Sequence, residues 1–108
     1  MKTYSMAKSR ACLKAKGIRV TGAPRSDFVA STAPGGAFLA RLPGNYVTVV
    51  FAEDGENADQ IEKAYHQFAF PNVKQGLSDV LKRDGNVIRL WHEHPEPKDE
   101  ATIRGCLK

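Results

Sequence analysis

Hydrophobic and polar positions change period several times along this chain, and each change marks an element. Residues 3–16, "TYSMAKSRACLKAK", contain neither Gly nor Pro and are rich in Ala, Lys, Leu and Met, all good helix formers. Thr3 or Ser5 is placed to cap the start, and Gly17 to stop the helix. "IRVTGAPRSD" follows as a short extended piece ending in a turn. Three alternating runs come next, "DFVAST", "AFLARL" and "YVTVVFAE", separated by "APGG" and "PGN". Breaks this short join antiparallel neighbours, so the middle of the chain predicts a β-meander. In the last run Val47, Val49 and Phe51 alternate with Tyr46, Thr48, Val50 and Ala52. Both sides can be buried, which predicts the central strand.

The period then lengthens. Ala58, Ile61, Tyr65 and Phe68 fall on one helical stripe, with Asn57 as its N-cap, Gln60 three residues on, and Pro71 as its stop. "NVKQGLSDVLKRDG" predicts a second helix, capped by Asn72, with Val73, Leu77, Val80 and Leu81 as its apolar face and Gly85 ending it. "NVIRLWHEH" reads as a fourth strand. Pro97 opens a last helix, with Asp99 and Glu100 in its first turn and Arg104 and Lys108 in its last, as the helix dipole favours. The predicted order is α-β-β-β-α-α-β-α. Two helices between the third and fourth strands provide a right-handed crossover to a parallel neighbour. The expected architecture is a single small α+β domain over residues 1–108. It has an antiparallel meander plus one parallel strand in a mixed four-stranded sheet, with helices mainly on one face. Phe28, Phe38, Phe51, Tyr65, Phe68 and Trp91 fall at positions that predict packing, and no exposed aromatic ladder interleaved with cations is evident.

Length fits this picture: 108 residues bury one modest core. The hydrophobic fraction of 42% with 26% charge argues for a globular rather than a disordered chain. No apolar run approaches the ~18 residues of a membrane span, so no membrane partner is expected and the predicted setting is cytoplasmic. Cys12 and Cys106 lie near opposite ends, without zinc or redox-pair spacing, and in such a setting read as reduced thiols.

Charge alters the functional reading. Lys2, Lys8, Arg10, Lys14, Lys16, Arg19 and Arg25 all precede the first carboxylate, Asp27, while the remainder of the chain is net acidic. A segregated basic segment implies an acidic partner, such as nucleic acid or an acidic face on another copy. For nucleic acid, Lys8, Arg10, Lys14 and Lys16 would contact phosphates without base readout, with Arg19 and Arg25 extending the patch. The segment "LKAKGIRVTGAPR", Leu13 to Arg25, resembles the opening of ferric-uptake-regulator proteins, where a helix ending in a Leu-Lys pair runs into Gly-hydrophobic-Arg-x-Thr. The resemblance implies a winged helix with a histidine-rich metal site; here a Gly/Pro-punctuated meander follows instead, and no site residue carries over.

The remaining candidate chemistry is "VIRLWHEHPEP", Val87 to Pro97. Residues i and i+2 of a strand share a face, so His92 and His94 should point together, towards the side of Ile88 and Leu90. Glu96 extends that row, and two histidines with an acid can chelate a metal. An HxH pair followed by an acid, here Asp99, also resembles the first cupin motif. No second histidine motif follows, however, and the helix-rich remainder does not suit a jelly roll. The third histidine, His66, should face water beside Asp59 and Glu62. The "SMAK" of Ser5–Lys8 matches the SxxK of penicillin-binding proteins, which need a far larger domain. The "TAPGG" of Thr32–Gly36 reads as a hairpin loop rather than an anion nest.

Three functions follow. The first is a small non-catalytic binding or regulatory domain with its ligand near Trp91, His92, Glu93, His94 and Glu96. It would self-associate as a dimer, with a second copy covering one apolar sheet face. The second is a nucleic-acid-associated protein using the basic helix. The third is a small metal-dependent or His-based enzyme centred on His92 and His94. No cofactor is implied.

Overall fold

The computed structural model describes residues 2–68 and 76–108. Its elements run α1 (Met6–Ala15), β1 (Arg19–Gly22), α2 (Phe28–Ser31), β2 (Ala37–Leu42), β3 (Asn45–Phe51), α3 (Gly55–Phe68), α4 (Leu77–Val80), β4 (Leu81–Asp84), β5 (Val87–Trp91) and α5 (Pro97–Gly105). The α+β class stands. The sheet, however, has five strands in the order β1-β2-β3-β5-β4, and every neighbouring pair is antiparallel.

Two local substitutions account for the difference. "DFVAST" is not a strand: Asp27 accepts a hydrogen bond from the Ala30 N–H through Oδ1, and the Ser31 and Thr32 hydroxyls donate back to the Phe28 carbonyl. Such local bonds compete with sheet pairing, and they wind Phe28–Ser31 into one helical turn. Its place in the meander is taken by the short extended piece, β1. The TAPGG segment therefore joins a helix to a strand and is not a hairpin loop. In the second change the helix expected over "NVKQGLSDVLKRDG" shrinks, among its described residues, to Leu77–Val80, and Leu81–Asp84 continues as β4. Gly85, at φ +57°, lets the chain reverse directly into β5. No crossover to a parallel strand is then required. The proposed stop at Pro71, cap at Asn72 and apolar Val73 lie outside the described residues.

Helices cover both faces of the sheet, not mainly one. On the first face α1 and α5 pack through Leu13, Ile103 and Cys106 onto Phe38, Ala40, Val47, Val49, Phe51, Val87 and Trp91. On the second, α2 and α3 bring Ala30, Ala58, Ile61 and Tyr65 onto Val50, Ala52 and Ile88. The central strand β3 alternates between them as its sequence indicates, with Val47, Val49 and Phe51 on one side and Val50 and Ala52 on the other. Both layers come from one chain, so a second copy is not needed to complete either face.

Ser5 caps α1, accepting from the Lys8 N–H, while Asp54 rather than Asn57 caps α3, accepting from the Asn57 N–H at 2.7 Å. The Asn57 side chain instead accepts from the Glu53 N–H. The α3 stripe of Ala58, Ile61 and Tyr65 is buried, but Phe68 and Phe28 are 67% and 73% exposed, contrary to their expected packing. A buried hub fixes the N-terminus: Asn86 accepts from the Tyr4 N–H and donates to the Tyr4 and Ala52 carbonyls.

Cys12 and Cys106 are joined as a disulfide, their Cα atoms 5.4 Å apart. The expectation of two free thiols is thereby corrected. Packing α1 beside α5 on one face brings together residues separated by 94 positions, a proximity that sequence spacing could not reveal.

Candidate functional site

The end of β5 scatters the residues that sequence brings together. The strand ends at Trp91, so the two-residue alternation stops just before the histidines. Trp91 is buried under α5, and its indole N–H donates to Glu100 at 2.7 Å. His92 lies on the second face and stacks on Tyr46, ring centroids 4.3 Å apart and planes 13° from parallel. The backbone of Glu93 is clamped by the Asn45 side chain, which donates to its carbonyl and accepts from its N–H. His94 turns away to Asp79, Nδ1 to Oδ1 2.6 Å. Glu96 is the exposed N-cap residue of α5, contributing its backbone carbonyl to the Asp99 and Glu100 N–H groups. Among the described residues no three His, Cys, Asp or Glu side chains are arranged to hold a metal ion. His66 is exposed on α3, as its position implies.

The basic residues also divide. Lys8, Arg10 and Lys14 project from the outer side of α1 and Lys16 caps its end; Arg25 lies in the turn before α2, and all five are exposed. Arg19, however, alternates with Ile18 and Val20, which pack against the α1/α5 core. Its side chain therefore emerges on the opposite face. One continuous basic patch does not form.

What forms instead is a row across the second face. Arg19 of β1 lies opposite Arg41 of β2, and Arg41 lies opposite Tyr46 of β3. The His92 N–H donates to the Tyr46 carbonyl at 2.9 Å, which brings His92 alongside. The Arg41 guanidinium carbon is 5.7 Å from the Tyr46 ring centroid, within cation–π range. Helices α2 and α3 do not reach this end of the sheet: Arg19, Arg41 and His92 are exposed and Tyr46 is half-buried. Neither arginine meets a carboxylate within ion-pair distance among the described residues. Like charges placed directly opposite on a sheet are destabilising, so this pair has no structural rationale within the chain.

Beside the row is a cleft of about 270 Å³, lined by Pro24, Asp27, Tyr46, Thr48, Leu90 and His92 among others. Thr48 is 5% exposed and lines the cleft, and among the described residues no buried side-chain oxygen or nitrogen is left without a hydrogen-bond partner. Asp27 is already committed: Oδ1 caps α2, and Oδ2 accepts from the Tyr65 hydroxyl at 2.8 Å. Burial, followed by the negative charge of Asp27 and that hydrogen bond, raises the Tyr65 hydroxyl above its ordinary range. Stacked rings, cations, a hydroxyl and a held carboxylate thus share one open face. Such a face can bind, but no nucleophile and base converge on it.

Arg41, Tyr46, Thr48 and Asp27 were absent from the residues singled out by sequence. One signal was available: "RLPGNY" is a two-residue Pro-Gly turn, with Gly44 at φ +78°, and it sets Arg41 opposite Tyr46. No family model matches the chain, and neither the curated proteins nor the solved structures contain a significantly similar one.

Proposed function

We propose that this protein is a small non-catalytic binding domain, with its ligand site in the cleft beside Tyr46 and His92. The observation that carries this reading is the cleft itself, where the stacked Tyr46 and His92 rings stand beside Thr48 and an Asp27 carboxylate held in place by Ala30 and Tyr65. Aromatic and apolar walls with a few placed polar groups are what a small-ligand site requires. The site retains Trp91 and His92 from the C-terminal cluster and exchanges Glu93, His94 and Glu96 for residues of β3 and the α2 approach. A fragment screen by 15N NMR tests it. Shifts concentrated at Tyr46, Thr48, Leu90 and His92 are expected; hits confined to other surfaces would overturn it.

Self-association belongs to the same reading. Its support lies at the exposed Phe28 and Phe68, which rim an apolar groove between α2 and α3. Light scattering should give a dimer that Phe28→Ser weakens; a monomer at high concentration removes this part. A nucleic-acid role is the second reading, favoured by the exposed cations of the N-terminal segment, none of which is ion-paired among the described residues. The His-based enzyme has no comparable support, because His92 and His94 lie in different surroundings. No helix among the described residues is long and apolar enough to cross a membrane. The expected cytoplasmic setting is opposed by the disulfide, since such bonds persist mainly in oxidising compartments. Alkylation of thiols at the moment of cell lysis decides between the two: blocked cysteines mean a reduced, cytoplasmic protein.

A further inference from the structure

We infer that the Arg19–Arg41–Tyr46–His92 row is a platform for single-stranded nucleic acid, with phosphates on the arginine end and an unpaired base on the His92 end. This rests on the reading of the adjoining cleft as the binding site and names its partner. The row crosses four strands, a span of ~14 Å at the usual strand spacing. Tyr46 is stacked on His92 and also faces the Arg41 guanidinium, which fixes both rings and leaves the outer face of the exposed His92 for one unpaired base. Arg19 and Arg41 are set directly opposite each other by strand register, and among the described residues neither is ion-paired with a carboxylate. Two adjacent phosphates would relieve their repulsion, and planar guanidinium forks suit phosphate oxygens.

The geometry favours a strand over a free nucleotide and over a duplex. The cations and rings lie in line across the sheet rather than around a closed pocket, so a polymer engages both ends where a mononucleotide engages one. A duplex keeps its base faces stacked internally and offers nothing to Tyr46 or His92. At the edge of the row Thr48 lies in the cleft where a base edge would sit, while the Asp27 carboxylate disfavours a phosphate there. This arrangement also separates strand binding from the cations of α1, which lie across the sheet.

Fluorescence anisotropy with labelled twelve-residue oligo(dT) and oligo(U), a mixed-sequence duplex and adenosine monophosphate as competitor provides the test. The single strands are expected to bind. Tyr46→Ala and the Arg19→Ala/Arg41→Ala double variant should each weaken them by about tenfold or more, the loss associated with one stacked base. The double variant should also flatten the salt dependence by a log–log slope of about 1.4, two phosphate contacts on a single strand. Lys8→Glu/Lys14→Glu, with circular dichroism confirming the fold of every variant, should lower affinity less than the row variants do. Equal affinity for the duplex, competition by the mononucleotide as strong as by the strand, or greater loss in the α1 variant would each overturn the inference. Absence of strand binding while fragments still shift Tyr46, Thr48 and His92 overturns it alone. Absence of both removes the cleft reading as well.

Discussion

Arginines occupy both faces of the sheet in opposite states. On the α1/α5 face Arg89 is 2% exposed and fully engaged. Its Nε and Nη2 donate to the two oxygens of Glu100, and Nη1 donates to Asp84 at 2.6 Å. Trp91 adds a bond to the same Glu100, and Arg104 reaches Asp84. On the other face Arg19 and Arg41 lie opposite each other, exposed and, among the described residues, without a carboxylate partner. A buried cation must be paired or the fold suffers; an exposed, repelling pair contributes nothing to stability and is free to meet an anion. The contrast separates charges that hold the structure from charges available to a partner.

The largest effects should come from breaking the closed face. Replacing both cysteines, Cys12→Ala with Cys106→Ala, frees a loop spanning 94 positions. It should cost about 4.7 kcal/mol in urea unfolding on the chain-entropy account; a cost below about 1 kcal/mol would mean that the staple is dispensable. Glu100→Ala strips Arg89 and Trp91 of a shared acceptor and should cost about 3 kcal/mol, less than full ion-pair loss because Asp84 remains. A change of a few tenths would show that Arg89 is not the anchor of α5.

An intermediate effect is expected at the cleft wall. Tyr65→Phe leaves Asp27 without one donor and should cost about 1 to 2 kcal/mol. The Tyr65 hydroxyl titrates higher in the fold than its ordinary value of 10.0. Its contribution is therefore full below that pH and is lost as pH rises beyond it. Stability of the wild type should fall above about pH 10, and Tyr65→Phe should flatten that decline. An unchanged alkaline profile would exclude Tyr65 as its source. The smallest change is expected on the open face, where Arg41→Ala should alter stability by no more than about 0.5 kcal/mol.

Much of the core was legible in the sequence. The burial of β3 on both sides, the Ala58, Ile61 and Tyr65 part of the α3 stripe and the Pro97 start of α5 follow from period and from proline's preference for the first helical turn. Two errors came from segments where short-range chemistry competes. "DFVAST" alternates like a strand, yet Asp27 and the Ser31 and Thr32 hydroxyls satisfy the backbone locally. "VLKRDG" fits a helix by composition, yet Arg83 reaches across to Asp59 and Glu62 of α3 only from a strand. The site was harder to see, because its residues are individually ordinary and come from four strands. Register, not local pattern, makes a row of them, and only the Pro-Gly turn between Arg41 and Tyr46 hinted at it. The HxH pair misled for the converse reason: adjacent in sequence, the two rings diverge once the strand ends.

Urea unfolding of the Arg19→Ala/Arg41→Ala variant beside wild type, each with and without saturating oligo(dT), tests the two-face account most directly. A ligand that binds only the folded state raises stability according to its affinity. The account predicts equal stabilities without the oligonucleotide and a gain on adding it to the wild type alone. A variant markedly less stable without ligand, or stabilised as much as wild type with it, would contradict the account.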